Sequence, residues 1–326
     1  MLMTSNPKII NTKFALIGED AKSTIPFLSH AGITSISYYH NYDEFNYSVE
    51  VDVVCLSGRD VVPDFFFEKL EKLSAVGLIS YTNSVLDLHI KNPREIPVFS
   101  SNMSSVRSAA EYIIAAVFFI LRNFHNLHIK KYPTYEVMGK TLGIVGYGKV
   151  GSQVSVLAEA VGMNVFFYDL DTKLNIGNAK QILSLPDLFS KSDIIVFTVP
   201  RSENQLLKKE ELKFIKAKSS IINISGHNIL DLESINHMLS HGNLSTFVMD
   251  VEPNLSSDKK NVIKSLFSQF DNILVTSGES YRTIESVRKI SKEVIDNILS
   301  FLENSSIKKE LVGSDLKSKN YNISCL

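Results

Sequence analysis

Tryptophan is absent from this chain of 326 residues, cysteine occurs twice and proline nine times. Two cysteines cannot make a disulfide framework, and Cys55, inside the apolar run 51–56, reads as a small core residue. Neither sign of charge is in excess. Lys+Arg 34 against Asp+Glu 35 gives a net charge of −1, so nothing invites nucleic acid or an anionic membrane surface. Long apolar runs are missing too: the longest apolar helix candidate, 112–121, is too short to span a bilayer. The first residues lack the charged-then-apolar order of a secretory signal, and a cytoplasmic location is expected. Metal-ligand clusters are lacking as well. His125 and His128 have no partner cysteines, and His237 and His241 read as a surface pair on one helix, so no metal is expected.

What is present is globular. Hydrophobic residues make up 44% and charged residues 21%, and the length suits two domains that each bury a core. Residues 13–106 alternate strand-like runs (13–17, 35–39, 52–56, 76–80) with helical spacing (21–30, 65–73), the rhythm of a small parallel α/β domain. A long apolar helix is expected over 104–123. After it the alternation resumes, with strands at 193–200, 220–225, 246–251 and 272–276. Helices are expected at 183–189, 208–215 and 232–241, and an amphipathic one at 284–302. The tail from 303 onwards is polar.

The richest stretch is 141–151, Thr-Leu-Gly-Ile-Val-Gly-Tyr-Gly-Lys-Val-Gly. An apolar run leads into Gly146, Gly148 and Gly151, a helical pattern follows, and a second apolar run, 164–168, stops at Asp169. This is the strand–turn–helix–strand–acid order of a dinucleotide-binding unit. Gly146 allows the tight turn, Gly148 lets the backbone approach a pyrophosphate, and Gly151 lets helix and strand pack closely. The helix N-terminus offers N–H groups and partial positive charge to the phosphates. A carboxylate at 169 accepts from a ribose 2′-hydroxyl and repels a 2′-phosphate, and 170–172 offers no arginine, so NAD is favoured over NADP.

From 138 to 253 the chain resembles the coenzyme domain of the D-isomer-specific 2-hydroxyacid dehydrogenases. The likeness is carried by 139–169, by 184–200 and by 216–251, and more weakly by the first hundred residues. It implies a Rossmann-type doubly wound sheet over 106–288. A second, smaller flavodoxin-like substrate domain would comprise 1–105 plus 289–326, with NAD held in the cleft and the chain a homodimer. Position by position, it implies Gly146, Tyr147, Gly148, Lys149, Val150 and Gly151 at the pyrophosphate and Asp169 at the adenosine ribose. Val199 and Pro200 would line the adenine side. Ile224 and Ser225 would lie by the nicotinamide and Asp250 by its carboxamide, with Gly226 and Gly278 beside them.

The pattern fails where the chemistry should be. Reducing a 2-oxo acid needs a cation on its carboxylate and a general acid for the new alkoxide. The family uses an arginine in Asn-x-x-Arg-Gly and a histidine in Thr-Pro-His. This chain has Gly226 at the first position and Gly278 at the second. One positioned acid or base is worth on the order of 10²–10⁴ in rate, so little ordinary 2-hydroxyacid dehydrogenase activity is expected.

Two readings follow. In one, the chain is an oxidoreductase acting on a CH–OH group of a non-standard small molecule. His227, Glu252 and Arg282, with Glu279 and Tyr281 nearby, rebuild its site. In the other, it binds NAD without turnover, as a sensor or interaction scaffold. His227 would then be a loop residue, Glu252 a loop carboxylate before Pro253, and Arg282 a surface residue opening the last helix.

Overall fold

The computed structural model describes residues 7–79, 92–101, 104–124, 133–200 and 207–303. His125, His128, Cys325 and the polar tail beyond 303 lie outside the described residues. The chain forms two compact units, 1–105 with 282–326, and 106–281. The second junction falls before residue 282 rather than at 288–289. The physical reason is that Ile284–Glu303 is one unbroken helix, burying Ser286, Ile290, Val294, Ile295 and Ile298 from its first turn onwards.

The first unit is a five-stranded parallel sheet of order β2-β1-β3-β4-β5. Its strands are β1 (Phe14–Ile17), β2 (Ile36–Tyr39), β3 (Val53–Ser57), β4 (Ala75–Ile79) and β5 (Val98–Phe99). β1, β3 and β4 are buried at every residue, as in a parallel sheet covered on both faces. Ala15, Ile17, Val54, Leu56, Val76 and Leu78 pack against Phe66, Phe67, Phe45 and Tyr42. Cys55 is wholly buried, and burial pushes its thiol up to about 12, as befits a core residue. The helix expected over 65–73 is a single turn, Phe66–Lys69, because Leu70 leaves helical geometry (φ −107°, ψ 71°).

The second unit is a seven-stranded parallel sheet of order β12-β11-β10-β9-β6-β7-β8. These strands are β6 (Thr141–Val145), β7 (Asn164–Tyr168), β8 (Lys180–Gln181), β9 (Ile194–Phe197), β10 (Ser219–Asn223), β11 (Leu244–Val251) and β12 (Ile273–Ser277). Successive side chains feed opposite faces, as the period of two requires. Ile194, Val196, Ile222 and Val248 join the core beneath the helices Val106–Leu121 and Lys149–Ala160. Ile195, Phe197, Ile221 and Phe247 join the core on the other face, with Leu185, Leu188, Ile235 and Leu239. This is a doubly wound, Rossmann-type sheet, and strand order reverses at β6, where β9 lies on one side and β7 on the other.

One helix, Ser257–Phe267, went unread in the sequence. It is mostly polar and buries only Ile263 and Phe267, so tertiary contact rather than a broad apolar stripe fixes it. No helix among the described residues is long and apolar enough to cross a membrane.

Candidate dinucleotide and proton-transfer site

All seven strands of the second unit run parallel, so the loops after β6, β7, β9, β10, β11 and β12 share one edge of the sheet. In open α/β sheets this carboxyl edge, at the reversal of strand order, is where ligands bind. Gly146 follows β6 in the left-handed region (φ 94°), and its N–H donates to Tyr168 O at 2.8 Å. A Cβ on Gly151 would lie 2.2 Å from Gly146 O, so the helix can begin this close to the strand only as glycine. Thr198 secures the same turn, its Oγ1 donating to Gly146 O at 2.7 Å.

Gly148 differs from both. It is the N-cap of Lys149–Ala160, it has no side-chain cap, and a Cβ there would meet nothing within 4 Å. That open space at a helix N-terminus is what a pyrophosphate needs. Lys149 is exposed and Val150 half-buried at the first turn. Tyr147 turns inward: its ring stacks on Phe167 at 3.6 Å and its hydroxyl donates to Ser155 Oγ at 3.0 Å. Only its backbone belongs to the loop, and its N–H donates to Asp169 Oδ2 at 2.8 Å. Asp169 Oδ1 accepts from Asp171 N at 3.1 Å, which leaves one further lone pair on each oxygen for ribose hydroxyls. Val199 packs on Gly146 and Pro200 is exposed.

At the β10 end, Asn223 is wholly buried and shapes the next turn. Its Oδ1 accepts from Ser225 N at 2.9 Å and its Nδ2 donates to Gly226 O at 2.8 Å. Ile224 is buried, and Ser225 Oγ is buried without a hydrogen-bond partner. An orphaned hydroxyl costs free energy unless a ligand meets it. The open cradle at Gly148, the two remaining acceptor sites on Asp169 and this orphan all fit a bound dinucleotide.

The Asn223 turn delivers His227 to Glu252. His227 Nδ1 lies 3.0 Å from Glu252 Oε2, and the His227 backbone N–H also donates to Oε2 at 3.4 Å. The side chains are only 15% and 17% exposed, so the pair is less screened than a surface ion pair. A carboxylate at Nδ1 selects the tautomer with the proton there and leaves Nε2 as the basic atom.

Asp250, expected beside a carboxamide, has internal partners of its own. It is wholly buried, and Oδ1 accepts from Thr276 Oγ1 (2.6 Å) and Glu279 N (3.0 Å) while Oδ2 accepts from Ser280 N (2.9 Å) and Ser280 Oγ. All four acceptor positions of the carboxylate are filled, so Asp250 pins the turn after β12. Tyr112 joins this network through Thr276 Oγ1 at 2.8 Å, and burial pushes its phenol up to about 12.

The glycines at 226 and 278 both stand in left-handed backbone, and the second is also crowded. Gly226 has φ 109°, and Gly278 has φ 72° with its missing Cβ only 2.9 Å from Pro253. Arg282 belongs to the first unit, where its Nε pairs with the buried Asp20 at 3.1 Å. Sequence reading missed Asn223, Thr198 and Tyr112. Only Asn223 left a signal, an Asx residue at a strand end ahead of Ser-Gly.

The doubly wound sheet and the glycine turn at its carboxyl edge are those of a Rossmann-type, dinucleotide-binding class. Residues 118–277 match the family model described as "D-isomer specific 2-hydroxyacid dehydrogenase, NAD binding domain". The D-3-phosphoglycerate dehydrogenase of Haemophilus influenzae is 31% identical, over 90% of this chain and 75% of its own. The chain belongs to the D-isomer-specific 2-hydroxyacid dehydrogenase family, and its cofactor is NAD. Among solved structures, the apo D-lactate dehydrogenase of Escherichia coli superposes with TM-score 0.77 at 20% identity, covering 90% of this chain and 97% of that one. D-lactate dehydrogenase from Aquifex aeolicus, complexed with NAD and lactic acid, gives 0.75 at 19%, covering 89% and 96%.

Proposed function

We propose that this chain is an NAD-dependent oxidoreductase acting on the CH–OH or carbonyl carbon of a small molecule, with His227 as proton carrier and Glu252 as its orienting partner. The observation that carries the reading is the 3.0 Å pair of His227 Nδ1 and Glu252 Oε2 on the sheet edge that bears the glycine loop. When bound, NAD supplies the hydride acceptor and NADH the donor. The protein's part in oxidation is to take the hydroxyl proton on His227 Nε2, leaving an imidazolium beside the Glu252 carboxylate. In reduction the same Nε2 returns the proton to the new alkoxide. Gly146, Gly148 and Gly151 would hold the pyrophosphate, Asp169 the adenosine ribose, and the Ile224–Ser225 turn the nicotinamide side.

The curated relatives are named D-3-phosphoglycerate dehydrogenase, and a phosphorylated 2-hydroxy acid is therefore one substrate to test. The glycine at 226 favours a substrate outside the ordinary 2-hydroxy acids, because no arginine stands there to clamp a carboxylate. A cytoplasmic homodimer is part of the same reading, supported by exposed Phe118, Phe124 and Tyr135 on and after the helix Val106–Leu121.

The test is NADH oxidation by the purified chain against a panel of 2-oxo acids and neutral ketones, beside an NADH titration. Turnover should fall by on the order of 10²–10⁴ in His227→Ala, with NADH affinity retained. Tight NADH binding with no turnover on any member of the panel would favour the scaffold reading. Turnover untouched by His227→Ala would reject the dyad.

A further inference from the structure

The segment joining β7 to β8 carries a cation that the sequence reading passed over. Lys173 Nζ lies 3.7 Å from Asp169 Oδ1 and 3.1 Å from Asp171 Oδ2. Its backbone is fixed: Lys173 N donates to Gln181 Oε1 at 3.1 Å, and Gln181 Nε2 donates to Asp171 O at 2.9 Å. Gln181 sits in β8, itself paired to β7 through Phe167, so the sheet sets the position of the lysine. The Asp169 side chain is 9% exposed and that of Lys173 33%, so the ammonium is the outer group of the pair.

We propose that Lys173 is a second ligand of the adenosine ribose of NAD, donating to the oxygen of a hydroxyl that itself donates its O–H to Asp169. The inference rests on reading Asp169 as the ribose-binding acid. Each Asp169 oxygen already accepts one backbone N–H, from Tyr147 and from Asp171, and each keeps a lone pair for a hydroxyl proton. A hydroxyl that donates to a carboxylate keeps lone pairs on its oxygen, and the donation makes that oxygen a better acceptor. An ammonium carries three N–H donors on a rotatable stem, and 3.7 Å from Asp169 is an ion-pair separation rather than a direct hydrogen bond. Lys173 therefore flanks the place where a hydroxyl would engage Asp169 and can complete its hydrogen bonding. The gap between Lys173 and Gln181 in sequence explains why the acid was legible and its companion was not.

The experiment is a titration of wild type, Lys173→Ala and Lys173→Arg with NADH by fluorescence. A parallel titration uses reduced nicotinamide mononucleotide, which lacks the adenosine half, followed by ligand-observed NMR so that weak binding is still measured. Loss of one charge-assisted hydrogen bond should weaken NADH about tenfold in Lys173→Ala. The mononucleotide should be unaffected, and Lys173→Arg should recover most of the loss. Unchanged NADH affinity in Lys173→Ala overturns the inference, and so does an equal loss for both ligands, which marks a general loosening of the loop. Absence of NADH binding by the wild type would instead refute the Asp169 assignment beneath it.

Discussion

Gly146, Gly148 and Gly151 at one end of the sheet's carboxyl edge do the opposite of Gly226 and Gly278 at the other. The first three hold a turn tight and keep a space open, and at Gly148 nothing would meet a Cβ. Gly226 (φ 109°) and Gly278 (φ 72°) stand in backbone that disfavours any side chain, and Pro253 covers the second. At the β6–β7 end backbone geometry sets the turn, and at 146 and 151 only glycine satisfies it. At the β10–β12 end side chains meet instead, His227 Nδ1 with Glu252 Oε2 at 3.0 Å, the pair proposed above to carry the proton. In the proposed function, cofactor binding and proton transfer are thus separable within one sheet.

Gly148→Asp breaks that comparison most strongly. The fold should survive, because the added atoms enter open space, but a carboxylate would face the pyrophosphate. NADH affinity should fall by on the order of 10²-fold or more, read by fluorescence titration with the melting temperature unchanged. Gly278→His sharpens the comparison from the other end. If the missing histidine were a simple point loss, restoring it would raise turnover. The left-handed backbone and the Pro253 contact instead predict a destabilisation of about 1–3 kcal/mol, seen as a melting temperature lower by several degrees, with no gain in activity.

The smallest effect lies at the opposite, amino edge of the same sheet. Asp193 is partly buried, which alone would raise its pKa. The hydrogen bonds from Lys216 Nζ (2.7 Å) and Thr141 N (2.9 Å) outweigh that and hold its carboxyl below the usual value. A folded pKa below the unfolded one gives stability that is present above about pH 4 and lost as pH falls through the folded value. Asp193→Asn should therefore melt earlier than wild type at pH 7, and the difference should shrink in melts taken at about pH 3.

Much of this was legible in the chain. The strands announced themselves because both faces of a parallel sheet are covered, so β9 reads as the continuous run Ile194–Phe197. The glycine loop and Asp169 were legible because the spacing that binds a dinucleotide is a local property of strand, turn and helix. Ser257–Phe267 was not, since two buried side chains leave no periodic stripe. Asp250 shows the limit for a site residue. Its position suggested a contact with the carboxamide, and only the fold revealed Thr276, Glu279 and Ser280 already filling its oxygens.

The order of residues by itself determined the two parallel α/β units, the glycine turn after β6 and the glycines at 226 and 278. Those depend on backbone needs and short-range periodicity. Tertiary structure alone decided that His227 meets Glu252, that Asp250 is an internal anchor, that Arg282 is committed to Asp20 and that Lys173 stands beside Asp169. Where a side chain ends up among partners far away in sequence is fixed by strand order and packing, which no local pattern encodes.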